Sequence, residues 1–350
     1  MSTARKKFMA LLLGLVLVIG VAACGSSDSD DNGGSGSSGN TSVASIPDQP
    51  ESGQINMGIE PWIGYGPWYI AQEKGFFKKN GIDVNITNFA NDSQRESAFI
   101  SGHTDVSNMP THAMLLFGSK DVGAKIVLLL DQSTTADAVI AGSDIKSIKD
   151  LKGKSVAYEE GTTSDILIHY ALAQNDMSTD DIKVVPMNAS DAGNAVIAGR
   201  VDAAVTYEPY ISAALDQDPD MSLLYTAGED PGLVSDGLMA SDSMVNDKPG
   251  QVLALVKSWN DAVDFYNQNT DEAQAIITKA VGAKPGTLDT SFKGIKLYDG
   301  AENAKLLGGA FAKQTMVDVQ KAALDSGYLQ DEIDPLSIVD PAFVEKAQQQ

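Results

Sequence analysis

Between residues 55 and 206, short apolar runs alternate with helical patterns, and this alternation constrains the fold more than any other feature of the chain. Strands are expected at 55–59, 82–89, 125–130, 138–141, 154–158, 182–185 and 203–206. Helices are expected near 68–79, 93–101, 164–174 and 192–198. Strand–helix–strand rhythm with short Gly-, Asn- or Asp-bearing connections argues for parallel α/β sheets covered on both faces. From Lys248 onward the pattern turns helical, at 251–267, 271–280, 300–325 and 341–350.

The first 53 residues do not share this pattern. Arg5, Lys6 and Lys7 precede an apolar run over 8–21, and Val21-Ala22-Ala23-Cys24 closes it. Charge, apolar core and small residues in that order describe an export signal, and the run falls short of the roughly 20 apolar residues of a spanning helix. The ending resembles the bacterial lipobox, which implies cleavage before Cys24 and lipid on its thiol. Cys24 is the only cysteine, so it has no partner within the chain for a disulfide. Residues 24–53 are rich in Gly, Ser, Asp and Asn and are expected to form a flexible tether spanning on the order of 30 Å.

Composition removes several classes of partner. The chain carries 25 basic and 47 acidic residues, a formal charge of −22; without residues 1–23 it keeps 22 and 47, or −25. A body so acidic repels nucleic acid and anionic lipid, leaving the lipid anchor as the expected membrane contact. No Gly-x-Ser-x-Gly, Walker or His-Glu-x-x-His pattern occurs, so no catalytic residue, metal ligand or cofactor is assigned.

Two passages carry a family resemblance. One is Pro61-Trp-Ile-Gly-Tyr-Gly-Pro-Trp-Tyr-Ile-Ala-Gln-Glu-Lys-Gly-Phe-Phe-Lys-Lys-Asn-Gly-Ile-Asp-Val. The other begins Ile148-Lys-Asp-Leu-Lys-Gly-Lys-Ser-Val-Ala-Tyr and runs through Gly161-Thr-Thr-Ser to Ala198-Gly-Arg-Val-Asp-Ala-Ala-Val-Thr-Tyr-Glu-Pro. They resemble the substrate-binding proteins of ABC importers in the nitrate, sulfonate and taurine group, which includes binders of thiamine-pyrimidine precursors. The resemblance implies an α/β fold of the two-lobed periplasmic-binding-protein type (type II), with parallel-rich sheets and flanking helices. Lobe 1 would comprise 54–147 and 233–350, lobe 2 would comprise 148–232, and the chain would cross near 132–137 and 230–235. A small solute in the cleft would hold the lobes closed and be delivered to an ABC permease and its ATPase, with the chain working as a monomer.

Candidate ligand contacts follow from where such folds bind, beyond the strand ends where helix N-termini converge. The small polar loops there hold Asn91, Asp92, Thr111, His112, Thr162, Thr163, Ser164 and Asp191, and the same residue types are ordinary helix caps. Trp62 and Tyr65 in a glycine-broken loop offer a stacking or cation-binding surface, whereas Trp68 at helical spacing reads as core. Asp137, Tyr207 and Glu208 add an aromatic and two carboxylates, with Glu208 equally able to cap its helix. Arg95 and Arg200 are the only arginines after the leader; Arg200 reads as a surface residue, and Arg95, in the first turn of a cleft-side helix, could reach an anion or equally be solvated, so no dedicated anion clamp is evident. A taurine- or sulfonate-like solute is expected, with an aminopyrimidine or other small amine fitting about as well and nitrate less. The competing classes are a ligand sensor and a pyrimidine-synthesis-like enzyme. The latter, by resemblance, needs Cys and His near iron, and only His103, His112 and His169 are present.

Overall fold

The computed structural model describes residues 41–89, 92–208 and 210–350; the leader, Cys24 and Asn91 lie outside the described residues. Within 41–350 two mixed sheets organise the chain. The first holds six strands in the order β11-β4-β10-β3-β1-β2: β1 Gln54–Ile59, β2 Asp83–Asn88, β3 Val106–Pro110, β4 Ala124–Ser133, β10 Ser235–Ser241 and β11 Ile295–Leu297. The second holds β7-β6-β8-β5-β9: β5 Asp137–Ala141, β6 Ser155–Tyr158, β7 Lys183–Pro186, β8 Ala203–Tyr207 and β9 Ser222–Thr226.

The expected parallel ladders are present, β1 with β2 and β3, and β6 with β7 and β8. Each sheet also takes antiparallel strands: β10 beside β3 and β4, β11 beside β4, and β5 beside β8 and β9. The reversals have a geometric cause. The chain leaves the first sheet at the end of β4, enters the second through β5, and returns through β10, so β5 and β10 start at the edge where their neighbours end. The expected boundary at 147 leaves β5 in lobe 1, but β5 makes its ladder with β8 and β9.

Helices cover the sheets. Those of the first half are α1 Gly66–Lys74, α2 Phe76–Lys79, α3 Asp92–Ile100, α4 Thr111–Ser119, α5 Thr163–Ala173, α6 Ala189–Ile197 and α7 Tyr210–Gln217. They are followed by α8 Asp242–Asp247, α9 Pro249–Gln268, α10 Thr270–Ala280, α11 Gly300–Leu306, α12 Met316–Asp325 and α13 Ala342–Ala347. Gly75, at φ 76°, ends α1 by returning its N–H to Ala71 and Gln72, a left-handed cap that other residues adopt at a cost. The single helix expected over 300–325 runs as α11, a π-helical stretch Leu307–Thr315 and α12, kinked where the Gly308-Gly309 pair lets Gly309 leave helical angles (φ −107°, ψ −119°).

Trp68 is fully buried, stacks on Phe77 and packs at 4.9 Å from Trp259, as its helical spacing indicates. Its indole N–H donates to Asn108 Oδ1 at 2.7 Å, while Asn108 Nδ2 donates to the Gly58 carbonyl, so a buried amide in central β3 is satisfied on both sides. The end of the expected tether is docked on the body. Thr41 N–H donates to Asp340, Ile46 is buried, and the Glu51 carboxylate accepts from Gly250 and Gln251 N–H at the start of α9. A carboxylate on the N-terminus of a long helix is favourable, which helps hold residues 41–53 against the body. Among the described residues, no helix is long and apolar enough to cross a membrane.

Candidate functional site

The ends of β1, β3, β6, β7 and β8 meet the starts of β5 and β10 around a cavity of about 810 Å³. Antiparallel strands present their beginnings where parallel neighbours present their ends, so all seven feed one site. The first sheet contributes Glu60, Trp62 and Tyr65 after β1, with Asp92, Arg95 and Glu96 from α3. Asp236 comes from β10, and Tyr328 follows α12. From the second sheet come Asp137, the loop Glu159 to Ser164, the turn Asn188 to Ser190, and Tyr207.

Arg95 is 1% exposed and lines the cavity, so of the two positions open to it in the sequence the solvated one is excluded. Its guanidinium pairs with Glu60 at 2.8 Å, Asp92 at 2.5 Å and Glu96 at 3.8 Å, which keeps it charged despite burial. Its Nε–H has no acceptor within the protein. Three carboxylates around one cation cannot all ionise freely: burial pushes Glu60 up to about 8 and Glu96 to about 7, against the pull of Arg95.

A second acidic group lies where the chain crosses between sheets. Asp131 of β4 and Asp236 of β10 are directly opposed cross-strand partners, and both are buried. Like charges so placed repel. Burial raises both pKa values, Asp236 to about 6 and Asp131 well above the usual carboxylate range; the charge of Asp236 raises Asp131 further, while hydrogen bonds from Tyr65 and Asp131 hold Asp236 lower, so the pair retains a proton near neutrality. Trp62 Nε1–H donates to Asp131 Oδ1 at 3.1 Å and Tyr65 O–H to Asp236 Oδ1 at 2.7 Å. Asp137 is 8% exposed on the cavity wall, and its Oδ2 has no hydrogen-bond partner. Burial pushes it up to about 7, with Asp236 and Glu208 adding to the shift and Ser133 opposing it.

These raised values fix the sign of a pH effect. A carboxylate whose folded pKa exceeds its unfolded one holds, when folded, a proton that the unfolded chain gives up. Its contribution is therefore lost as pH rises from about 4 towards the folded value. The ligand-free protein is expected to melt at progressively lower temperature from pH 5 to pH 8, as Asp137, Glu96 and Glu60 are forced to ionise. A melting curve flat across that range would refute the account.

The second-sheet helices arrive already capped. Thr162 Oγ1 accepts from Ser164 N–H at 3.3 Å and the Asp165 carboxylate from Gly161 N–H at 3.0 Å, ahead of α5. Glu159 Oε2 accepts from Ala189 N–H at 3.2 Å at the head of α6, and Glu208 from Ser212 N–H at 3.0 Å in α7.

Of the residues singled out in the sequence, Trp62, Tyr65, Asp92, Asp137, Thr162, Thr163, Ser164 and Tyr207 line the cavity. Trp62 meets Tyr207 edge-on across it, with ring centroids 6.3 Å apart. Thr111 and His112 lie behind the wall: Thr111 Oγ1 donates to the Ser235 carbonyl, and burial drives His112 down to about 4 against Tyr328. Asp191 is exposed on α6, outside the lining. Glu208 is also outside it, both of its oxygens taken by Ser212. Glu208→Ala is accordingly expected to cost about 1 kcal/mol of stability through the lost cap and to leave solute affinity within about twofold by calorimetry. Sequence reasoning passed over Glu60, Glu96, Glu159, Glu160, Asp131, Asp236 and Tyr328, none of which stands in a distinctive local motif.

Two sheets, each bearing reversed strands at the crossing, with a cavity at their facing ends, define the periplasmic-binding-protein fold. The chain belongs to the NMT1/THI5-like family, whose profile matches residues 62–273. It is 27% identical over 269 residues to a protein of Brucella abortus named as a binding protein, covering 76% of this chain and 83% of that one. It is 23% identical over 309 residues to a Bacillus subtilis protein named as binding aliphatic sulfonates, covering 86% and 90%. Among solved structures, the periplasmic aliphatic sulphonate binding protein SsuA of Escherichia coli superposes with a TM-score of 0.69 at 17% identity, covering 82% of this chain and 92% of that one. The desulfurization enzyme DSZB shares the fold at a TM-score of 0.61 and 15% identity, covering 85% and 99%.

Proposed function

We propose that this chain is the extracytoplasmic solute-binding component of an ABC importer. The observation that carries this is the cavity, formed jointly by two sheets that the chain connects at two short crossings, between β4 and β5 and between β9 and β10. A solute touching both sides gains contacts only when they are together, and so holds a closed form for a permease to recognise. On this reading lobe 1 is the first sheet with its helices, lobe 2 is the second, and Trp62 and Tyr207 meet across the cleft. The leader and the Cys24 motif support lipid anchoring at the outer face of a membrane, which would keep a capture protein near its permease.

The named relatives and the lining together favour binding over catalysis. Among the described residues, the cavity wall has no His, Cys or Lys, and its hydroxyls at Ser93, Ser164 and Ser190 have no histidine base among the lining residues. Residues 25–350, the chain beyond Cys24, are expected to bind one small organic solute per chain in the micromolar range (about −8 kcal/mol). Calorimetry against a broad panel of amines, aminopyrimidines, sulfonates and nitrate tests this. Absence of any binder across the panel would count against an importer.

A further inference from the structure

We infer that the solute is an organic cation with at least two N–H donors, an ammonium or amidinium head on a flat or apolar body. The head is placed at Asp137 and the body against Trp62 and Tyr207. This rests on the solute-binding reading above and narrows it by charge.

Four observations converge. Seven carboxyl side chains line the cavity against one guanidinium, and that guanidinium is already paired with three of the seven. An anion approaching Arg95, whose Nε and Nη2 have no hydrogen-bond acceptor, would meet Glu60, Asp92 and Glu96 on the same group. Secondly, three of the usual anion seats are taken. The N-termini of α3, α5 and α6 carry the chain's own carboxylates, Asp92, Asp165 and Glu159, so a sulfonate there would find like charge where it normally finds free N–H groups.

Thirdly, Asp137 is more than nine-tenths buried on the cavity wall with Oδ2 unpartnered. The Ser133 hydroxyl beside it lowers its pKa, while Asp236 from β10, Glu208 beyond β8 and Asp131 from β4 act on it electrostatically; none of these is a cation. A buried acceptor in that position calls for a donor with positive charge. Lastly, a cavity of about 810 Å³ walled partly by Trp62, Tyr65, Tyr207 and Tyr328 suits an organic body rather than a bare ion, and aromatic faces attract cations. The need for N–H groups separates this seat from an aromatic cage for quaternary ammonium, where no carboxylate oxygen awaits a donor.

The test uses the mature chain in thermal shift and calorimetry at pH 8. The cationic probes are benzamidine, phenethylamine, agmatine and putrescine. Ethanesulfonate, benzoate, nitrate and taurine form the anionic and zwitterionic set, with benzyltrimethylammonium as the cation lacking N–H. At least one N–H cation is expected to raise the melting temperature and to bind at least tenfold more weakly at pH 5.5, where Asp137 and the Asp131–Asp236 pair hold protons. Asp137→Asn is expected to weaken that binding at least tenfold. Its own ligand-free melt at pH 8 should not fall below wild type, because one of several mutually repelling buried charges is gone. Tighter binding of ethanesulfonate, benzoate or nitrate than of every cation would overturn the inference and leave the solute-binding reading standing. So would unchanged affinity in Asp137→Asn, or benzyltrimethylammonium matching benzamidine. No binding by probes of either sign would overturn this inference and the broader reading together.

Discussion

Arg95→Met is expected to lower stability by about 3 kcal/mol at pH 8, and by much less at pH 5. The guanidinium is 1% exposed and pairs with Glu60, Asp92 and Glu96, so methionine would leave three carboxylates around an apolar side chain. Breaking a buried ion pair by deleting one partner costs about 3–5 kcal/mol. The lower end applies because the Asp92 and Glu60 side chains keep 34% and 23% exposure, and water can take over part of the lost solvation. The pH dependence follows from the same groups. Glu60 and Glu96, at about 8 and 7 even beside Arg95, are largely protonated at pH 5 and need little compensation there. At pH 8 the wild type ionises them against a cation, whereas the variant must ionise them against nothing or keep them neutral at a cost. Urea unfolding at the two pH values measures the difference. Equal losses at both would show that Arg95 acts by packing alone.

The same cluster shows where sequence reasoning stops. Its expected strands and helices up to residue 206 match the sheets closely, because each is a local apolar run with turn residues at its ends. Four strands escaped it, β3, β9, β10 and β11, and two of them show why. β10, Ser-Asp-Gly-Leu-Met-Ala-Ser, has no β-branched residue, and Gly237 is there for closeness, since a Cβ would crowd the Leu128 carbonyl and the Met114 side chain. β3, Val-Ser-Asn-Met-Pro, reads as loop because its polarity is satisfied only by Trp68 and Gly58 from elsewhere. Both strands are fixed by neighbours on each side, so their identity is tertiary information.

The site divides along the same line. Trp62 and Tyr65 were legible because large aromatics in a glycine-broken loop are locally unusual. The acidic wall was not. Glu60, Glu96, Glu159 and Asp236 come from four elements, and each alone resembles a cap or a surface charge. Only their convergence on one cavity gives them a common role, and it shifts the expected solute from one with a sulfonate end towards a cation. Glu208 moved the other way: a carboxylate beside an aromatic looked like a ligand contact, and the structure uses it to hold Ser212.

Gly64→Ala is expected to destabilise the protein by about 1–3 kcal/mol and to weaken solute binding at least tenfold, although it adds one methyl group. Gly64 is the middle residue of the short turn Ile63–Tyr65, and its φ lies outside the left-handed region. Space is what demands glycine. A Cβ there would overlap the Asp131 carboxyl group and Trp62 Nε1, the two ends of one hydrogen bond. Asp131 is fully buried beside Asp236, so it has no free direction in which to yield. The turn or the Trp62 ring must therefore move, and Trp62 is a wall of the cavity that meets Tyr207 across it. Gly58→Ala is the matched control. Its added methyl would lie 3.3–3.4 Å from Ser107, Phe89 and Thr104 side-chain atoms, a tight contact that small shifts relieve. Thermal melts and solute titrations of the two variants side by side separate the cases. If Gly64→Ala binds as well as Gly58→Ala, the Trp62–Asp131 contact does not shape the cleft, and the seat assigned to the solute's body is misplaced.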